Sequence, residues 1–149
     1  MRILHTLAIM FIGSFIIQYF FMSTIMSNSM ENITNSLGKV YLSIIMGLYM
    51  VLLEIMMHDH HYEVFSMKYY IIIGCLLGLF IYLYRTQKYI TDKEYLKEMI
   101  EHHSMALLTS NGILEKTDDY NVSKTAKNII QKQQDEIRDM KGLLKDLGK

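Results

Sequence analysis

Three stretches of this chain leave little choice of surroundings. ILHTLAIMFIGSFIIQYFFM (residues 3–22), VYLSIIMGLYMVLLEIMM (40–57) and YYIIIGCLLGLFIYLY (69–84) are apolar almost throughout. A bilayer core accepts a helix of about 17–25 such residues. A helix on the surface of a soluble protein would keep a polar face, and these runs mostly lack one. The sequence therefore predicts three transmembrane helices, the third short unless flanking residues extend it. Tyr69, Tyr70, Tyr82 and Tyr84 mark both ends of the third run as an interfacial belt would. The first run is too long for a usual signal-peptide core, and no small-x-small cleavage site follows it. It is expected to stay as a span. Proline is absent from the chain, which suits long helices. The single cysteine, Cys75, lies inside the third run and has no intrachain partner to pair with.

Charge divides the chain. Of its 15 Lys/Arg and 15 Asp/Glu, most fall after residue 90, so the neutral total averages an apolar first part with a polar tail. The expected domains are residues 1–90, in the lipid bilayer, and 91–149, outside it. Neither is basic enough to suggest nucleic acid as a partner. With three crossings, the 27–38 loop and the tail share one side. Lys39, Arg85, Lys88 and Lys93 on that side, against Arg2 and Lys68 opposite, favour a cytoplasmic tail. The glycosylation sequons Asn32-Ile33-Thr34 and Asn121-Val122-Ser123 lie on the same side and point the other way.

The tail reads as a helical hairpin. Thr91 and Glu94 have capping-box spacing. Apolar or small residues then recur at Leu96, Met99/Ile100, His103, Ala106/Leu107, Ser110 and Ile113/Leu114, a seam of roughly heptad period. KTDDYN (116–121) breaks it with turn-favouring residues. A second seam follows through Val122, Ala126, Ile129/Ile130, Gln133, Ile137, Met140, Leu143/Leu144 and Leu147. A short connection makes the two helices antiparallel neighbours. Folding about residues 118–119 puts His102 and His103 level with Gln133, Gln134 and Glu136, and Met99 level with Ile137 to Met140. The polar breaks of the two seams thus coincide, which packing alone does not require.

Imidazole binds many transition metals and thioether favours soft ones, above all Cu(I). Met99 precedes His102 by three residues and His103 by four, so it can share a helical face with either. Adjacent histidines point about 100° apart, so only one can face the seam squarely. Around these histidines zinc is the less favoured ion, since no Cys or carboxylate spacing completes a tetrahedral set. Met99 and Ile100 hold the places of the Glu in a di-iron Glu-x-x-His pair, and no catalytic triad or phosphate loop is visible. The other reading of these histidines is a hydrogen-bonded interior pair facing glutamines.

MIEHHSMALLTS (99–110) with QKQQDEIRDM (131–140) resembles the family catalogued as domain of unknown function 305, a ferritin-like helical group. Its Met-Ile-Pro-His-His and Gln…Glu-Ile-x-x-Met motifs are matched by Met99, Ile100, His102, His103 and Ala106, then Gln133, Glu136, Ile137 and Met140. The resemblance covers about residues 92–147. The spans also resemble those of a membrane-anchored subgroup, with Glu54 at the place of a glutamate in the second span. Glu101 replaces the family's proline, Thr109 a frequent methionine and Gly142 the usual tryptophan. The resemblance implies half of a ferritin-like four-helix bundle. It also implies a link to copper, which some relatives are implicated in binding, and no established reaction.

The second span adds Met46, Met50, Glu54, Met57, His58 and His61 on one helical face, if its helix continues past the membrane. A carboxylate in such a run marks a functional site by default, and Met57-His58-Asp59-His60-His61 offers further metal-competent groups. Met22, Met26 and Met30 form a methionine stripe, a pattern that packing also produces.

The expectation is an all-α, multi-pass membrane protein that is not an enzyme and that binds or buffers a soft metal such as copper. Its ligands would be Met99, His102, His103 and Met140, with Gln133 and Glu136 orienting the imidazoles. Glu54, Met57, His58, His60 and His61 form a secondary group. A non-catalytic assembly protein with structural histidines is the alternative. A hairpin with one seam leaves Tyr95, Met105, Leu108 and Ile129 or Ile130 needing cover, so a homodimer through the hairpin is expected.

Overall fold

The computed structural model describes residues 3–148, and all regular structure among them is helical. Helix α1 (Ile3–Ile16) passes through a π-helical turn, Ile17–Phe21, into α2 (Met22–Met26). A 3-10 turn (Met30–Asn32) leads to α3 (Leu37–Tyr62) and α4 (Met67–Arg85). The tail forms α5 (Asp92–Leu114) and α6 (Tyr120–Asp146). Ile3–Met26, α3 and α4 are each long and apolar enough to cross a membrane. All three are longer than the apolar runs alone suggest, because helix propagation continues into flanking polar residues once a nucleus exists. In α3 this carries the helix through His58–Tyr62, so the histidine cluster is helical rather than a loop.

Two compact units result. The first is the chain up to Phe21 together with Leu37–Tyr89. Here α3 is central, flanked by α1 and α4. Leu7, Leu48, Val51, Ile55, Ile73 and Leu77 are buried between them, with Phe11, Ile44 and Phe80 packed alongside. The α1–α3 approach depends on Gly47, where an added Cβ would stand 2.8 Å from the Phe11 ring and 3.2 Å from the Phe11 carbonyl oxygen. Asp59 ties the α3–α4 turn, accepting from the Ser66 N–H (2.6 Å) and the Ser66 hydroxyl (2.7 Å).

The second unit joins Met22–Ser36 to the tail hairpin. Thr91 caps α5 by accepting from the Glu94 N–H at 3.4 Å, and Asp119 caps α6 by accepting from the Val122 N–H at 2.9 Å. Tyr120 and Asn121, in the expected turn, open α6 instead, since the Asp119 cap starts the helix there. The seam buries Ile100, Leu107 and Ile137, with Ile130, Met140 and Leu144 against them. The 22–36 segment latches onto another face of α5. Fully buried Ser104 accepts from the Asn28 N–H (2.9 Å) and the Asn32 amide (3.3 Å), and bonds the Ser27 hydroxyl (2.7 Å). Glu101 accepts from the Ser23 hydroxyl and from the Thr34 N–H (3.1 Å), while the Thr34 hydroxyl donates to the Lys97 carbonyl (2.6 Å).

Candidate metal centre

Four positions on α5, one after another, face different neighbours. Glu101 and Ser104 hold the 22–36 segment, so the helix turns His103 toward α6 and His102 outward. His103 is gripped at both ring nitrogens. Nδ1 lies 2.7 Å from the Met99 carbonyl oxygen, which can only accept, so Nδ1 carries the proton. Nε2 lies 2.9 Å from a Glu136 carboxylate oxygen, whose other neighbour is the Gln133 amide at 3.4 Å. The His103 side chain is 20% exposed and that of Glu136 53%, so the carboxylate stands at the solvent edge of the contact.

This contact sets the register of the hairpin. One turn back along α5 from His103 is Met99, and one turn forward along α6 from Glu136 is Met140. In an antiparallel pair those two methionines come level. Both are half-buried, and Met140 packs on the cluster that holds Ile100, the residue after Met99. His102 does not join them. Its side chain is 49% exposed and lies 3.9 Å from Glu98, one turn back on its own helix.

A ring whose Nδ1–H is fixed by a backbone carbonyl presents Nε2 as its only ligating atom, the arrangement by which proteins orient metal-binding histidines. Here Nε2 faces the Glu136 carboxylate, so it could ligate only once that contact opens. Among the described residues no three His, Cys, Asp or Glu side chains converge as a hard or borderline ion requires. The side chains the register brings to this level are the His103 imidazole, the Glu136 carboxylate and the methionines at 99 and 140.

The family model described as Domain of unknown function (DUF305) matches residues 86–149, the stretch that contains this centre. Over 136 residues the chain is 32% identical to the uncharacterized protein L153 of Acanthamoeba polyphaga mimivirus, covering 91% of this chain and 89% of that protein. The chain belongs to the DUF305 family. The similarity to the viral protein takes in most of the apolar part as well as the DUF305 region. No solved structure matches the chain.

The secondary group divides too. Glu54, Met57, His58 and His61 line one groove of the first unit with Ile3, Thr6 and Tyr62. His60 is exposed and lies outside that lining. Met22 and Met26 lie on α2, and Met30 opens the 3-10 turn of the latched segment. The Ser104–Glu101 latch is the feature that sequence reasoning missed. Its signal was a loop rich in neutral hydrogen-bonding side chains, with Glu31 its one charge.

Proposed function

We propose that this DUF305 protein is an integral membrane protein whose tail hairpin binds or buffers a soft transition-metal ion, with Cu(I) the best chemical match. Membrane insertion is supported by the first unit, which leaves large apolar residues such as Ile9, Ile12, Phe20, Leu53, Ile71 and Leu79 exposed on its outer surface. A soluble protein rarely tolerates apolar surface on that scale. Metal binding is supported by one observation above all: the His103–Glu136 contact sets a register in which Met99 and Met140, each one turn away on its own helix, come level. Bound there, the ion would be held by His103 Nε2 and by the sulfurs, with Met99 supplying the carbonyl that orients the ring. Both ring nitrogens now face acceptors, so metal binding would require exposed Glu136 to swing away and Nε2 to give up its proton.

A second reading rests on the same contact. The His103–Glu136 pair satisfies the ring without any metal, as a structural histidine in an assembly protein would be. Titrating Cu(I) into the full-length protein in detergent, against a chromogenic chelator, separates the two. The metal reading expects uptake that falls at least tenfold in affinity on Met99→Leu with Met140→Leu, and also on His103→Ala, with helix content retained. His102→Ala should weaken it far less. Negligible uptake by the native chain and all variants alike would leave the structural reading.

A further inference from the structure

The first unit carries a second cluster of donors that the hairpin centre does not use. A groove of about 410 Å³ opens between the start of α1 and the last turns of α3, lined by Ile3, Thr6, Glu54, Met57, His58, His61 and Tyr62. Glu54, His58 and His61 follow at intervals of four and three residues, so α3 aims all three at one face. Glu54 is half-buried in an apolar helix, where a carboxylate is costly unless it serves a purpose.

The position of His58 is what points to a ligand. Its Nδ1 lies 3.2 Å from Asp59 Oδ1. Asp59 is buried and already accepts two hydrogen bonds from Ser66, so it is an anchored acceptor. Nδ1 therefore donates to Asp59, which leaves Nε2 as the ring nitrogen that can ligate. A carboxylate holding one nitrogen of a histidine so that the other can ligate is the recurrent support of protein metal sites. Both neighbouring rings pack on Tyr62, at 4.7 Å for His58 and 4.8 Å for His61.

We infer that this groove is a binding site for a divalent first-row metal ion of zinc-like preference, held by His58, His61 and Glu54. Two imidazoles and a carboxylate are the donors such ions take. As the side chains stand, no three of these donors converge on one point. The oriented His58 is the fixed element, and the ion draws Glu54 and His61 onto it. This site differs from the hairpin centre in donor set and in metal class, and it does not depend on the copper reading.

The test is Co(II) titration of the full-length protein in detergent, followed by its visible absorption and by displacement with Zn(II). The native chain is expected to take up one equivalent in a nitrogen- and oxygen-ligated environment. Glu54→Gln and His61→Gln should each weaken binding tenfold or more, with circular dichroism showing unchanged helix content. His102→Ala with His103→Ala should leave it unaltered. The inference is overturned if the native chain takes up no Co(II), if the Glu54 and His61 variants bind as the native does, or if uptake disappears with the hairpin histidines.

Discussion

At the scale of single residues, Ser104 and Gly47 carry the most testable consequences. Ser104 sits in the middle of the double-histidine motif, where the sequence offers it only as a spacer. Its buried oxygen serves three partners from a segment about seventy residues away. Ser104→Val should cost about 1–3 kcal/mol, since it strands buried donors. Denaturant unfolding measures the loss, and faster hydrogen exchange at the Asn28 amide locates it. Glu101 explains itself in the same way. It stands where the family has proline, and in this chain its carboxylate holds Ser23 and Thr34. Such long-range hydrogen bonds leave no periodic trace, so neither residue's role was legible beforehand. Gly47→Val would drive a side chain into Phe11. The expected cost is about 1–3 kcal/mol or more, the usual penalty for overpacking. Thermal unfolding in detergent would show it, and a variant as stable as the native would contradict the close α1–α3 contact.

At the scale of elements, periodicity carried the reading well. Three apolar runs and two heptad-like seams became the three long apolar helices and the hairpin, because burial of an apolar face is written into spacing. Element ends were less legible. Helix α3 runs on through His58–Tyr62, and the turn after it is closed by Asp59 onto Ser66, a contact no pattern announces. The register of the hairpin was readable to within about two residues, since polar breaks in the two seams oppose each other and His103 meets Glu136. That register can be checked by cross-linking. With Cys75 replaced by alanine, cysteines at positions 99 and 140 should form a disulfide under mild oxidation. Cysteines at 99 and 133, about two turns out of level, should not. Equal cross-linking of both pairs would refute the register.

At the scale of the whole molecule, a division at residues 90/91 follows composition, whereas the structure groups Met22–Ser36 with the hairpin. Composition could not show this, because the latch is made by a few side chains rather than by a change in polarity. The hairpin also keeps Tyr95, Leu108, Ile113 and Ile129 exposed, so we expect two copies to associate through it, an isologous pair being the commonest closed assembly. Light scattering in mild detergent should give a dimer, and a folded monomer at every concentration would exclude it. The central claim is that imidazole and thioether at one level of the hairpin hold a soft ion. X-ray absorption at the copper edge of the Cu(I)-loaded full-length protein tests it most directly. A mixed nitrogen and sulfur shell is expected, one that loses its sulfur in the Met99→Leu/Met140→Leu variant. A native shell without sulfur, or one unchanged by that substitution, would contradict it.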